Sequence, residues 1–290
     1  MGILLGLLTA LSWGGSDFLA RFATHRIGTL RTMLYMQSTG FLLLTIFLPW
    51  FGGWGHLGDG SGWQPWAWGV LAGALNFFAT LTLYRSFEIG KLAVVAPISA
   101  SYPVLTVLLS LSSGEHLSAA RAFGIAGTLL GVVLVAGGEN AGNADDQEGS
   151  ESRGKGVGWA VCSAVGFGFL FWLLGTRIVP ATGATQTVWL IRLTSSALTA
   201  LVILAARKPI RPPTDRVAGW ILAMGLTDTG AFVMNNFGMR IEQVAVVSVL
   251  ASLYGAVTVG LAAIFLREHV SRWQWIGILA IFAGIFLISR

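Results

Sequence analysis

Apolar residues along this chain fall into long, nearly unbroken runs. They do not alternate with the period of a half-buried helix or strand. A helix needs about 20 mostly apolar residues to cross a bilayer. Ten runs meet that need, at roughly 2–21, 32–51, 66–86, 91–112, 118–138, 156–176, 185–206, 218–239, 243–265 and 272–289. The first lacks a basic lead and contains Trp13 and Asp17, so it reads as a span rather than a cleaved signal. Most connections are short. The longest polar one, ENAGNADDQEGSESRGK from Glu139 to Lys155, has nothing apolar to bury and reads as a linker. It leaves five runs on each side, giving halves at 1–138 and 156–290.

The halves repeat each other. IGKLAVVAPISASYPVLT (Ile89–Thr106) aligns with IEQVAVVSVLASLYGAVT (Ile241–Thr258), so that Ala93, Val94, Val95, Tyr102 and Thr106 meet Ala245, Val246, Val247, Tyr254 and Thr258. Shifted by one residue, Glu115-His116 meets Glu268-His269, Ser118 meets Ser271, and Gly124 and Gly131 meet Gly277 and Gly284. Earlier, Gly73, Asn76 and Ala79 fall on Gly225, Asp228 and Ala231, and Gln37 falls on Arg192.

An odd number of spans per half turns the second half upside down, and the charges agree. Lys and Arg favour cytoplasmic loops. The odd-numbered loops hold Arg21, Arg26, Arg31, Arg85, Lys91, Arg153, Lys155, Arg207, Lys208, Arg211, Arg216, Arg267 and Arg272. Even loops and the C-terminus hold only Arg121, Arg177, Arg240 and Arg290. The fold expected is therefore an all-α membrane protein of ten transmembrane helices in two inverted five-helix repeats, a design used for alternating access. The bias puts both termini outside the cytoplasm. Trp50, Trp54, Trp63, Trp66 and Trp68 crowd the second loop as an interfacial belt; a ligand-binding lid is the sharper alternative.

Composition narrows the function. The 290 residues are 54% hydrophobic and 11% charged, against about 25% charged in soluble domains. Mean hydropathy is +0.73 and the pI about 9.9. The cations sit singly at helix ends, which argues against nucleic acid as a partner. The lone Cys162 excludes an intrachain disulfide and reads as a packing residue. His25, His56, His116 and His269 lack metal-ligand spacing, and there is no Walker sequence. No catalytic residue, metal site or cofactor is expected.

Polar groups inside a membrane default to function. Asp17 lies late in the first span and either carries a proton or pairs with Arg21 at i, i+4. Asp228 is deeper and could hold a coupling proton or a substrate amine, or serve as a partner for Arg192 or Thr227. Arg192 could bind an anionic group or form a structural ion pair. Asn76, Asn235 and Asn236 face a cavity or a neighbouring helix, and adjacent Asn235 and Asn236 point about 100° apart, so one of them faces inward. Trp13, Tyr102, Phe167, Trp172 and Tyr254 are aromatic candidates, with helix packing as the bland reading of each. Pro103 frees a carbonyl near midspan.

Taken together, the opening LLTALSWGGSDFLARFAT, the span-seven Arg192, AVVAPISASYPVLTVLLS followed by GEHLS, and AVVSVLASLYGAVTVGLAAIFLREHVS before a glycine-spaced last run resemble the drug/metabolite transporter superfamily, and within it the ten-helix EamA-type permeases. The resemblance covers nearly the whole chain. It implies a basket of helices around a central cavity, with helices 1, 3, 4, 6, 8 and 9 lining it and helices 5 and 10 outside. It also implies a secondary transporter of small polar metabolites, amino acids and related compounds among them, working by alternating access and usually exporting. Family members often have both termini inside, opposite to the charge bias here. Small-molecule substrate, membrane lipid and a coupling proton are the expected partners, in a bacterial inner membrane, as monomer or homodimer. The competing classes are an intramembrane enzyme such as a lipid-linked transferase and a non-transporting membrane subunit.

Overall fold

A computed structural model describes residues 1–50, 53–90, 92–137, 156–266 and 272–288. The linker 139–155, the cations Lys91, Arg153, Lys155, Arg267 and Arg290, and Glu268, His269 and Ser271 lie outside the described residues. The first half contains α1 (Gly2–Ile27), α2 (Thr29–Phe47), α3 (Gln64–Ile89), α4 (Leu92–Ser99), α5 (Pro103–Ser112) and α6 (Ala119–Gly137). The second contains α7 (Val157–Leu173), α8 (Val179–Thr182), α9 (Ala184–Ala205), α10 (Asp215–Ile241), α11 (Val244–Ala251), α12 (Tyr254–Leu266) and α13 (Arg272–Ile288). A π turn, Leu174–Ile178, joins α7 to α8.

Among the described residues, seven helical stretches are long and apolar enough to cross a membrane: Gly2–Ile27, Gln64–Ile89, Val95–Ser112, Val157–Thr182, Ala184–Ala205, Arg216–Ile241 and Val244–Phe265. Ala119–Gly131 and Trp275–Leu287 are shorter apolar helices. The first half of α2 carries Thr29, Arg31, Thr32, Gln37 and Thr39, which lowers its hydropathy. Cys162 is exposed, so it does not pack between helices. An outward apolar face is what lipid would cover.

The fourth and ninth runs are broken helices rather than rods. In the first half Pro103 has no N–H to give and restarts the helix as α5. The second half breaks between Ala251 and Tyr254 without a proline. Ser101 and Ser252 instead turn their hydroxyls back onto the carbonyls of Ile98 and Val249, each at 2.7 Å. Such local bonds compete with the helical ladder.

Helix pairing is reciprocal between the halves. α1 packs antiparallel on α10, with Gly2 against Glu242 and Trp13 against Phe232. α7 packs antiparallel on α3, with Gly156 against Gly90 and Gly166 against Ala79. α3 and α9 run in the same direction, Gly69 meeting Leu190 and Gly73 meeting Thr194. α2 runs antiparallel to α9, since Thr45 meets Trp189 and Gln37 meets Arg192. It runs parallel to α10, with Thr39 against Gly225 and Gly40 against Thr229. α6 packs on α13, where a Cβ on Gly131 would lie 2.6 Å from the Gly277 carbonyl and one on Gly284 equally 2.6 Å from the Gly124 carbonyl. Small residues here let two backbones touch.

The matched positions drift by one residue inside the second half. Gly14 contacts Tyr254 in the same way that Gly168 contacts Tyr102. Beyond them, Gly28 and Gly183, with φ of 80° and 101°, turn the chain into α2 and α9. From Gly14–Gly168 to Gly28–Gly183 the match slips by one residue. The π turn lies between and absorbs it, as such bulges do.

Candidate functional site

Each long helix around the centre offers an i, i+4 pair to one cavity: Trp13 and Asp17 from α1, Thr80 and Tyr84 (with Leu83) from α3, Phe167 and Phe171 from α7, Asp228 and Phe232 from α10. That spacing stacks two side chains on one helix face. The broken runs add Tyr102 and Tyr254 at their restarts, with rings 6.4 Å apart and 13° from parallel. The water-accessible space is about 30 Å³, room for roughly two waters at ~10–15 Å³ each. Aromatic rings close the rest. Trp13 lies 5.1 Å from Phe232 and 5.4 Å from Phe171, and Tyr102 lies 4.8 Å from Phe171.

One corner of this cavity is largely engaged, with Arg192 Nε and Thr229 Oγ1 left without a hydrogen bond. Arg192 is 0% exposed. It pairs with Asp228, donates to Gln37 Oε1 at 2.6 Å, and lies over the Phe232 ring at 5.1 Å. Arg192 itself does not line the cavity; it stands behind Asp228, which does. Burying a guanidinium is costly unless it is paired and hydrogen-bonded, and α2 and α10 supply the partners from either side. Gln37 and Arg192 are repeat mates that meet each other, as Tyr102 and Tyr254 do.

The opposite corner is open. Asp17 is 5% exposed and forms no hydrogen bond or ion pair among the described residues. The alternative pairing with Arg21 does not form. Arg21 turns its guanidinium toward the carbonyls of Phe87 and Gly90 at the end of α3, the latter at 2.9 Å. Beside Asp17, the Tyr254 hydroxyl is buried without a partner. Its mate Tyr102 is satisfied, donating to the Ser248 carbonyl at 3.0 Å. So among the described residues the cavity holds two carboxylates, the Tyr84 and Tyr254 hydroxyls without a hydrogen bond, and no unpaired cation.

Of the sequence candidates, Trp13, Asp17, Tyr102, Phe167, Asp228 and Tyr254 converge on this cavity. Four do not. Asn76 is spent on the α3–α9 contact, donating to Ser195 Oγ at 3.1 Å. Asn235 turns to Met239 Sδ at 3.6 Å. Trp172 points to the Ser113 hydroxyl at 2.9 Å, one residue past the inward-facing Phe171. Arg192 is screened by Asp228. Neither adjacent asparagine faces inward, since Asn236 donates to the Ala184 carbonyl at 3.1 Å. Sequence reading missed Thr80, Leu83, Tyr84, Phe171 and Phe232. The signal was available: Thr80 lies four residues after Asn76 and Tyr84 four after Thr80, while Phe171 and Phe232 each lie four residues after a residue already chosen.

Outside the helices, the GEH turn after α5 closes one end. Glu115 accepts from the Ala245 N–H at 3.4 Å, and its burial raises its carboxyl above the ordinary carboxylate range. Nearby Arg121 binds Glu242 at 2.8 Å and Gln243 at 2.7 Å. The tryptophan loop packs on the start of α9, with Trp54 5.4 Å and Trp66 6.4 Å from Trp189, while Trp50 and Trp63 remain exposed.

Comparison with known proteins places this cavity in context. No curated protein matches the sequence. A protein of known crystal structure superposes with a TM-score of 0.77 at 20% identity, over 99% of this chain and 95% of that one, which establishes a shared fold. The sequence model of the EamA-like transporter family matches twice, at residues 1–137 and 154–290. With both halves matched and apolar helices gathered around one polar cavity, the chain belongs to the EamA-like transporter family, within the drug/metabolite transporter superfamily.

Proposed function

We propose that this protein is a secondary transporter whose ten spans form two inverted five-helix repeats, divided at 138 and 156. On this reading it moves a small metabolite carrying a positively charged amine by alternating access. The reciprocal antiparallel pairs α1–α10 and α3–α7 support the inverted arrangement. So do the mates that meet each other, Gln37 with Arg192 and Tyr102 with Tyr254, as residues beside a pseudo-two-fold axis must.

The observation that carries the substrate class is the unpartnered Asp17 beside the unpartnered Tyr254 hydroxyl, within an aromatic wall. A carboxylate in so dry a place calls for a counter-charge, and aromatic faces attract ammonium groups. Asp17 and Asp228 are the coupling-proton candidates, because a proton can stand in for the amine when the site is empty. Amino acids and related amines fit; a bare anion does not, since Arg192 is already occupied. The cavity's small size corresponds to a closed state that must open to admit them.

Both termini lie outside the cytoplasm on this reading. Arg26, Arg31, Arg85, Arg207, Lys208 and Arg211 gather at one end of the bundle, and the tryptophan loop lies at the other. Export across a bacterial inner membrane is the direction we assign.

Purified protein in liposomes should exchange a zwitterionic amino acid or a cationic amine faster than a dicarboxylate of similar size, with no nucleotide added. A need for ATP would end the secondary-transport reading. A preference for the dicarboxylate would end the assignment of substrate class.

A further inference from the structure

A second, larger pocket lies away from the aromatic cavity, at the basic end of the bundle. It has a water-accessible volume of about 460 Å³. It opens between the start of α2, the end of α3, the start of α7 and the end of α9. Three cations line it, Arg31, Arg85 and Lys208, against a single carboxylate, Glu88. Glu88 is already committed: it pairs with Arg85 at 2.9 Å and accepts from the Thr29 hydroxyl at 2.6 Å. Arg31 donates only to a neutral group, the Arg211 carbonyl, at 3.2 and 2.5 Å. Lys208 forms no ion pair among the described residues. The pocket therefore carries uncompensated positive charge.

The way α9 ends strengthens this reading. The Arg207 N–H bonds to the Leu204 carbonyl and the Lys208 N–H to the Ile203 carbonyl, both at 3.0 Å, the Schellman arrangement. Its left-handed position normally takes glycine, yet here it is Arg207, with φ of 50°. The next position commonly packs an apolar side chain back on the helix; here it is Lys208, which lines the pocket beside Ile203. Two residues that would serve the helix end better as a glycine and an apolar group are instead cations.

The other wall is apolar. Leu81, Trp159, Val202 and Ile203 run from the charged rim into the bundle, and Trp159 is half-exposed toward the outside. A soluble anion would use the cations and leave this wall wet. A phospholipid would use both, its phosphate at the cations and an acyl chain along the apolar face. Basic pockets between helices at the cytoplasmic interface suit anionic headgroups.

We propose that this pocket binds an anionic phospholipid, holding its phosphate between Arg31, Arg85 and Lys208. The site is separate from the substrate cavity and does not depend on what that cavity carries. Phosphatidylglycerol added to delipidated protein in detergent should raise the unfolding midpoint by several degrees, as a ligand of the folded state does. Phosphatidylcholine and inorganic phosphate should not. Arg31→Gln/Lys208→Gln should lose most of that rise, and Lys208→Gln alone, a change at an unpaired side chain, should lose part of it. Arg177→Gln, at an exposed position on the opposite end, should retain it. An equal rise with inorganic phosphate would make this a soluble-anion site and overturn the lipid assignment. An equal phosphatidylglycerol effect in wild type and Lys208→Gln would overturn the pocket itself.

Discussion

Asp17 and Asp228 line the same small cavity, and their surroundings differ completely. Asp228 leans on Arg192, which is in turn held by Gln37 and capped by the Phe232 ring. Asp17 has no hydrogen-bond or ion-pair partner among the described residues. A charge in a membrane interior is costly by about 2.5–3.5 kcal/mol on insertion scales, so one carboxylate has its cost offset within the protein and the other does not. The first kind of group organises a bundle. The second is the group proposed above to bind an amine or a proton. The repeat sharpens the contrast, because the mates of Asp17 and Asp228 are Phe171 and Asn76. Neither half alone contains the acidic pair; it arises where α1 of one half meets α10 of the other.

The largest effect is expected at the engaged corner. Arg192→Ala strands Asp228 and should lower stability in detergent by about 3–5 kcal/mol, the usual result of removing one partner of a buried pair. Asp228→Ala should also destabilise by stranding the guanidinium. The double variant should recover much of the stability and still not transport, because Asp228 faces the cavity. Additive losses of stability in the double variant would mean that the two residues do not act as a pair, and the comparison would fail on that side.

Asp17→Asn tests the other side through flux. It removes an unpaired charge, so thermal stability should stay level or rise. Amine exchange in liposomes should fall about 100-fold, the equivalent of roughly 2.7 kcal/mol at 1.4 kcal/mol per tenfold. Near wild-type flux in a well-folded Asp17→Asn would remove Asp17 from the site.

Much of this was legible in the sequence, for physical reasons that differ by feature. The helical class and the two halves followed from apolar run length and from matched pairs such as Tyr102 with Tyr254. Both signals survive because lipid and close packing tolerate few alternatives. The cavity was half legible. Residues of unusual chemistry for a membrane, Asp17 and Asp228, declare themselves, and the ring of Trp13 lies about one turn before Asp17. Phe171 was passed over for its neighbour Trp172, because an unbroken run of FGFLFWLL gives no phase for deciding which ring points inward. The asparagines misled for a related reason. A buried amide satisfies helix–helix contacts as readily as it lines a cavity, and Asn76 and Asn236 do the former. The one-residue slip after α7 could not be read at all, since a π turn leaves no mark on composition.

The smallest effect concerns how tightly the engaged corner is packed, and a glycine inside it can be compared with one outside it. Gly40 of α2 faces the Arg192 pair: a Cβ there would lie 2.2 Å from Thr229 Oγ1 and 3.0 Å from Arg192 Cδ and Nε. Gly15 of α1, two residues before Asp17 and so on the other face of that helix, would meet nothing within 4 Å and serves as the unpacked reference. If the engaged corner is a close-packed structural joint, Gly40→Ala should cost about 1–3 kcal/mol, as overpacking usually does. Part of that cost can be relieved by rotation of the Thr229 hydroxyl but not by the held guanidinium. Gly15→Ala should be neutral or add about 0.5–1 kcal/mol, because alanine suits a helix interior better than glycine. Thermal unfolding of the two variants side by side reads the difference directly. Equal tolerance at both positions would show that Arg192 has room to move, and its role would then shift from fixed strut toward a side chain that changes partners during transport.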